Sequence, residues 1–139
     1  MPDTDKLDRP LPRPTQLSKP FWDATARHEL VLQRCTIDGH YEWTPQFACS
    51  KCLNESLEWV AVTGLGTVYS YSVVHRPQGP EFEVPYIVAI VELDEGPRML
   101  TSLVDISPDE VQIGMPVQVS FEDAGDLALY RFGPSTRDA

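Results

Sequence analysis

Apolar and polar residues alternate through most of this chain, and the alternation predicts a mainly β fold. A period of two is typical of strands that bury one face, whereas a short, nearly continuous aliphatic run is typical of a deeply buried strand. The segment 67–75 alternates in this way, and the segment 86–93 is almost entirely aliphatic. The predicted strands are 30–34, 41–43, 56–59, 67–75, 86–93, 98–104, 117–122 and 129–132.

Glycine and proline clusters separate these strands. They predict a loop at 76–83, a hairpin turn at 94–97 and one short helical turn at 108–111. The strands from 67 onward follow a glycine pair, Gly64 and Gly66, and their order is compatible with a Greek key. We therefore predict a small closed barrel of five strands, an OB-fold, in the C-terminal part of the chain.

One helix is predicted, over residues 18–28. Ser18 is a suitable N-cap, and Pro20 is tolerated in the first turn. Phe21 and Trp22 fall on different faces, so the helix is apolar on more than one side. Two interpretations follow. The aromatic pair pins the helix to its own domain, or Phe21 and Trp22 are anchors that dock a partner subunit.

The segment before the helix is rich in proline and charge, with Pro2, Pro10, Pro12 and Pro14. Proline at this density opposes both helix and sheet. The arm is either a loose tail or a strap that lies over a partner. The predicted domain organisation is an arm at 1–17, a helix with a ribbon at 18–58, and the OB-fold domain at 59–139.

The chain has three cysteines, and their spacing indicates a metal site. Cys49 and Cys52 form one C-x-x-C knuckle, whereas the other knuckle begins at Cys35 and has Asp38 where a second cysteine is expected. Two knuckles on strand hairpins are typical of a rubredoxin-like zinc ribbon. We predict zinc bound by Cys35, Asp38, Cys49 and Cys52, more weakly than by four cysteines. A metal-free ribbon and ligation by His40 are the alternatives.

Charge and hydropathy exclude several classes of function. The formal net charge is -10 and the pI is about 4.6, which disfavours nucleic acid as a partner. The chain has no apolar run of about 18 residues, which predicts no membrane span. It also has no apolar segment near the N-terminus that reads as a secretory signal. An odd number of knuckle-spaced cysteines favours a reducing compartment, and we expect a cytoplasmic location.

Candidate binding residues in the barrel half are few. His75 and Arg76 end a predicted strand at a Pro/Gly loop, and Arg98 begins another. They are solvated strand ends, or they lie near the phosphates of a bound ligand or at a subunit seam. The sequence contains no nucleophile elbow, no phosphate-binding glycine loop and no Ser-His-Asp or Cys-His set. The chain is therefore not expected to be catalytic alone.

Two long runs resemble a known family. They are "LVLQRC…DGHYEWTPQFACSKC…EWVAVTGLGTVYSYSVVHRP" and "PYIVAIVELDEGPRMLTSLVD…IGMPVQVSFED". Both are similar to the acyl-CoA-associated zinc-ribbon/OB-fold proteins, long regarded as a domain of unknown function. The resemblance covers roughly residues 18–134, with its two halves in the right order. Asp38 departs from the pattern of that family.

The resemblance implies a function as well as a fold. Members of that family are accessory subunits of thiolase-superfamily enzymes: thiolases, thiolase-like aldolases of the sterol-carrier type and hydroxymethylglutaryl-CoA synthases. It therefore implies a heteromer, with two copies of each subunit, that shares an acyl-CoA site in lipid or aromatic acid degradation. The alternatives are a free-standing acyl-CoA-binding protein and, with less support because of the acidic charge, an OB-fold binder of single-stranded nucleic acid.

Overall fold

The computed structural model describes residues 10–136 and is mainly β, as the alternation predicts. The first nine residues of the predicted arm lie outside the described residues. Within the described residues, one helix precedes eight strands, and a 3₁₀ turn, Pro108–Glu110, lies between the sixth and seventh strands. The elements are α1 Lys19–Ala26, β1 Val31–Cys35, β2 Tyr41–Glu42, β3 Leu57–Ala61, β4 Leu65–Val74, β5 Tyr86–Leu93, β6 Arg98–Leu103, β7 Pro116–Ala124 and β8 Leu127–Pro134.

Helix α1 begins after Ser18 and carries a proline in its first turn, as predicted. Its cap differs from the prediction, because the Ser18 side chain makes no capping hydrogen bond to the helix. The Ser18 hydroxyl oxygen instead accepts a hydrogen bond from the Thr15 backbone N–H at 2.9 Å. The helix ends at Ala26, and His28 just beyond it has a positive φ of 60°.

The ribbon is a three-stranded antiparallel sheet in the order β2-β1-β3. The loop that follows β2 is held to β1 by a buried amide. The Gln33 carboxamide accepts a hydrogen bond from the Gln46 backbone N–H at 2.7 Å and donates one to the Gln46 carbonyl at 2.9 Å. These two bonds satisfy a buried side chain and fix the approach of the chain to the second knuckle.

The last five strands form a closed barrel in the order β4-β5-β6-β8-β7. All neighbours are antiparallel except β6 and β8, which are parallel where Leu103 pairs with Phe132. This confirms the predicted five-stranded OB-type barrel. Its interior is filled by side chains that are almost completely buried: Val68, Val91, Met99, Val117 and Phe132.

Gly66 in β4 has no room for a side chain against β5. A Cβ atom at this position would lie 2.4 Å from the carbonyl oxygen of Glu92 and 2.9 Å from a methyl group of Val91. Real Cβ atoms do not approach backbone oxygens so closely. The glycine is therefore required by the packing of two barrel strands, and it explains one half of the glycine pair seen in the sequence.

The helix and the ribbon share a core with the barrel. Phe21, Leu30 and Leu32 belong to the same buried cluster as the barrel interior. Thr25 strengthens the junction, because its hydroxyl donates a hydrogen bond to the Trp22 carbonyl at 2.6 Å and accepts one from the Ala128 N–H at 3.2 Å. Strand β3 crosses the predicted domain boundary at 58/59 and pairs with β1.

The buried position of Phe21 corrects one prediction. Its side chain is only 1% exposed, and its ring packs against Trp22, Trp43 and Tyr130. An aromatic ring covered by its own chain cannot reach a partner. Phe21 is therefore an internal anchor for the helix, in agreement with the first interpretation of the aromatic pair. Trp22 is half-buried.

Candidate metal centre and binding surfaces

The two knuckles have the same backbone hydrogen bonds. In the first, the Cys35 N–H donates to the His40 carbonyl at 2.8 Å, and the Gly39 N–H donates to the Cys35 carbonyl at 2.9 Å. In the second, the Cys49 N–H donates to the Asn54 carbonyl at 2.9 Å, and the Leu53 N–H donates to the Cys49 carbonyl at 2.8 Å. The first knuckle has therefore kept its backbone geometry although aspartate replaces its second cysteine.

Each knuckle turns through a residue of positive φ. Gly39 has a φ of 76°, which costs glycine little. The equivalent residue in the second knuckle is Leu53, with a φ of 65°. A leucine in this region is strained by about 1–2 kcal/mol. Its side chain is also 78% exposed, so the leucine contributes little to the chain's own core.

The knuckles bring four potential ligands together: Cys35, Asp38, Cys49 and Cys52. Their donor atoms all lie within 4.8 Å of one another. The sulfurs of Cys35 and Cys52 are 3.6 Å apart, and Asp38 Oδ2 is 3.6 Å from the sulfur of Cys49. A tetrahedral ion with metal–sulfur bonds of about 2.3 Å has ligand–ligand edges of about 3.8 Å. The donor set and its spacing therefore fit a tetrahedral metal ion.

The electrostatics of the group favour a cation. A backbone hydrogen bond from His40 holds the pKa of Asp38 below its ordinary value of 3.8. A backbone hydrogen bond from Asn54 lowers the pKa of Cys52. Desolvation, the thiols of Cys35 and Cys49 and the Asp38 carboxylate outweigh that bond and raise this pKa to about 11. A bound cation would remove the repulsion among these anionic ligands.

His40, the alternative fourth ligand, faces a different partner. Its Nε2 lies 3.2 Å from the carboxylate of Glu42, and its backbone N–H donates to Asp38 Oδ1 at 2.9 Å. The four-membered group includes Asp38 and not His40. Glu42 itself was missed by the sequence reading. The only sign in the sequence is a charged residue between Tyr41 and Trp43 in a short strand.

The predicted binding residues of the barrel do not converge. His75 and Arg76 are exposed just after β4, beyond the pair formed by Val74 and Tyr86. Arg98 pairs with Glu92 at the other end of β5. Six residues of strand separate the two ends, which is roughly 20 Å. These three side chains therefore cannot bind one phosphate group together.

Arg98 is already engaged on the barrel surface. Its guanidinium carbon lies 3.8 Å from the centre of the Tyr69 ring, and its Nε is 3.0 Å from the Glu92 carboxylate. Stacking on an aromatic ring and pairing with a carboxylate both suit arginine. The guanidinium therefore lies on one face of the Tyr69 ring.

Two neighbouring cavities lie on the outside of the barrel, with Pro12 and Trp22 lining both. The larger has a volume of about 570 Å³ and lies between the arm, α1 and the β7–β8 turn. The smaller, of about 430 Å³, follows β5, β6 and β8 and includes Tyr130. Burial raises the pKa of the Tyr130 phenol, whose O–H donates to the Leu100 carbonyl at 3.0 Å.

Relatives place this arrangement in a family. The chain is 38% identical over 117 residues to a DUF35 domain-containing scaffold protein of Methanocaldococcus jannaschii. The match covers 78% of this chain and 83% of that protein. The chain belongs to the DUF35 family. Residues 59–122 of this DUF35 chain match the family described as the ChsH2 C-terminal OB-fold domain.

A solved structure resembles this DUF35 chain over nearly its whole length. The structure is described as an Ltp2-ChsH2(DUF35) aldolase, and the chain matches it with a TM-score of 0.82 and 38% identity. The match covers 89% of this chain and 98% of the other.

A longer relative comes from Thermomonospora curvata and is described as a probable enoyl-CoA hydratase alpha subunit. It is 42% identical over 127 residues, but the DUF35 chain spans only 40% of its length. Within residues 10–136, no helix combines the length and apolar character that a membrane crossing requires.

Proposed function

We propose that this chain is a non-catalytic accessory subunit of a thiolase-superfamily enzyme, a thiolase or a thiolase-like aldolase, that acts on acyl-CoA thioesters. One observation carries the proposal: the chain is 38% identical to, and covers 98% of, a chain in a structure described as an Ltp2-ChsH2(DUF35) aldolase. The role of the subunit is to complete or shape the acyl-CoA site. The assembly is a heterotetramer with two copies of each subunit in the cytoplasm, where three free thiols are stable.

The resident metal in this proposal is zinc, held by Cys35, Asp38, Cys49 and Cys52. Three thiolates favour a soft or borderline ion, and a closed tetrahedral set is typical of structural zinc. The ion supplies cross-linking between the two knuckles and no reaction chemistry. The ribbon residues themselves present a surface to the partner.

The ribbon surface supports a docking role, in place of the one predicted for Phe21. Three large apolar side chains on or beside the knuckles are strongly exposed: Ile37 at 63%, Phe47 at 79% and Leu53 at 78%. Leu53 keeps a strained backbone where glycine or asparagine is easier. An exposed leucine at a strained position, beside two other exposed apolar side chains, supports contact with another subunit. Trp22 remains a second candidate contact.

The docking role can be separated from folding with one substitution. Leu53→Asn removes the apolar side chain and suits the positive φ, so the free energy of unfolding should stay equal or rise. Association with the partner should weaken at least tenfold. Ile113→Asn is the matched control, since Ile113 is 63% exposed in a loop of the barrel. Equal affinity of both variants for the partner would exclude the ribbon as the docking surface.

The test of the function begins with the tagged chain and the subunit that co-purifies with it. We expect a thiolase-superfamily chain in equal amount, with acyl-CoA turnover that depends on the DUF35 subunit. His75→Ala and Arg76→Ala should raise the KM for acyl-CoA if this end of the barrel lies near the CoA phosphates. A partner that is soluble and fully active without the chain would refute the accessory role.

One observation favours a second candidate, a free-standing acyl-CoA-binding protein. The 570 Å³ cavity is within the size range of small-molecule sites and has Leu11, Trp22 and Leu127 in its wall. Among the described residues that line it, the one cationic side chain is Lys19, which is paired with Asp23 at 2.8 Å and so offers little attraction for CoA phosphates. Micromolar binding of an acyl-CoA to the isolated chain by calorimetry would favour this candidate.

A further inference from the structure

A buried carboxylate stands beside the second knuckle without being one of the four ligands. We propose that Glu42 is a positioning residue that holds the knuckle Cys49–Cys52 in its metal-binding conformation through Ser50. The inference goes beyond the accessory function. It rests only on metal binding by the four-residue group and does not require a partner subunit.

The contacts of Glu42 are directed at one residue of the knuckle. Its Oε2 accepts hydrogen bonds from the Ser50 backbone N–H at 2.8 Å and from the Ser50 hydroxyl at 2.7 Å. The same oxygen lies 3.2 Å from Nε2 of His40, and the side chain is only 7% exposed. Ser50 immediately follows the ligand Cys49, so both bonds act on the loop between two ligands.

Burial makes these bonds energetically significant. A buried carboxylate is unfavourable unless it is hydrogen-bonded or paired, and here the Ser50 donors and the His40 imidazole satisfy it. Glu42 lies on β2, which is fixed to β1 by the pair with Gln33. The carboxylate therefore links the ribbon sheet to the loop between Cys49 and Cys52. The next amide, that of Lys51, donates to the Cys49 sulfur at 3.4 Å.

The first knuckle also has a backbone N–H that donates a hydrogen bond to a carboxylate. There, Asp38 Oδ1 accepts the His40 backbone N–H, so a ligand itself fixes the turn. The second knuckle has cysteines at both ends, and its carboxylate comes from outside, from Glu42. Outer-shell partners that orient metal ligands typically change metal affinity by about 10–100-fold when they are removed. The same range is expected for Glu42.

The test is a double-mutant cycle read by metal affinity. Glu42→Gln, Ser50→Ala and the double variant are compared with wild type by zinc competition against a chromogenic chelator. Glu42→Gln should weaken zinc binding about tenfold or more, and Ser50→Ala should weaken it less. The double variant should be less impaired than the sum of the two single effects, because both substitutions affect the hydrogen bond that the Ser50 hydroxyl donates to Glu42 Oε2.

A control and a second readout separate this role from general destabilisation. Glu58→Gln makes the same charge change at an exposed position of the ribbon sheet and should leave zinc affinity unchanged. In Co²⁺-loaded protein, the visible absorption bands should change for Glu42→Gln and not for Glu58→Gln.

Three results would overturn the proposal: equal zinc affinity of Glu42→Gln and Glu58→Gln, strictly additive effects of the two knuckle substitutions, or wild-type protein that binds no metal. If Glu42→Gln does not fold, Ser50→Ala decides the matter. Unchanged zinc affinity in that variant, together with unchanged Co²⁺ bands, would refute the positioning role of Glu42.

Discussion

The ring of Phe21 meets the ring of Tyr130 edge-on, with centroids 5.7 Å apart and planes at 88°. Phe21 comes from the helix and Tyr130 from the last barrel strand. Trp43, from the ribbon, lies 4.6 Å from Phe21 and 6.2 Å from Tyr130. Three parts of the chain are therefore joined at one aromatic cluster, formed by Phe21, Trp22, Trp43 and Tyr130.

This cluster predicts that Phe21→Ala destabilises the whole chain. Removing a buried phenylalanine costs about 3–5 kcal/mol, because apolar contact is lost and a cavity remains. Urea unfolding should show a lower midpoint with a single transition. Trp22→Ala should cost less, since Trp22 is only half-buried. A Phe21→Ala chain as stable as wild type would contradict the placement of this ring in the core.

The four predicted metal ligands include one carboxylate, Asp38, and its replacement is expected to change zinc affinity. Asp38→Cys restores a fourth thiolate and should retain one zinc per chain at a chelator concentration that strips the wild type. Asp38→Ala should lose zinc more readily than the wild type. Asp109→Ala, at an exposed aspartate far along the chain, serves as the control. Elemental analysis after graded chelation measures all four proteins.

The pKa shifts predict opposite pH effects with and without metal. The pKa of Cys52 is raised to about 11 from 9.0, so zinc must displace a proton and its affinity should fall as the pH falls. In the metal-free protein the raised pKa contributes stability that is present below pH 9.0 and lost as the pH rises through about 11. Chelator competition and thermal melts across this range measure the two effects.

The lowered pKa of Asp38 affects the stability of the protein at acid pH. Its pKa is held below 3.8, so in metal-free protein it contributes stability that is present above that value and lost as the pH falls through the lowered pKa. Asp38→Asn should therefore flatten the acid limb of the stability profile below about pH 4. An unchanged acid limb in Asp38→Asn would show that the hydrogen bond from His40 contributes nothing.

The contact between β4 and β5 predicts that Gly66→Ala is destabilising. The added methyl group would meet the Glu92 carbonyl, and relief requires the two strands to separate. Such overpacking costs about 1–3 kcal/mol. Gly96→Ala is a useful comparison, because a Cβ there meets nothing within 4 Å, although its φ of 122° adds strain of its own. Chemical unfolding of both variants tests whether steric contact at Gly66 is the larger effect.

Periodicity was sufficient to find the strands because each barrel strand has one face in the core. The fifth strand was predicted at its observed bounds, Tyr86–Leu93, and the closed five-stranded barrel is confirmed. The ligand group also follows from spacing, since both knuckles are local structures. The position of Phe21 could not be derived in this way, because apolar residues that face a core and those that face a partner have the same pattern.

Glu42 is a polar residue whose contacts could not be predicted from the sequence pattern. Its proposed role depends on hydrogen bonds from Ser50, eight residues away, and on the burial of its carboxylate in the folded ribbon. A single charged residue in a short strand carries no such information. The structure groups Asp38, and not His40, with the three cysteines, and Nε2 of His40 lies 3.2 Å from the Glu42 carboxylate.

The packed interior of the barrel has a consequence for the proposed acyl-CoA function. The barrel interior is filled by buried side chains, among them Val68, Met99 and Phe132, and has no room for a ligand. Both described cavities lie against the outer side of the barrel. An acyl group bound against this chain would therefore contact outward-facing side chains such as Val88 and Leu100. Substrate range could then change by substitutions on one outer face, with the core and its stability left intact.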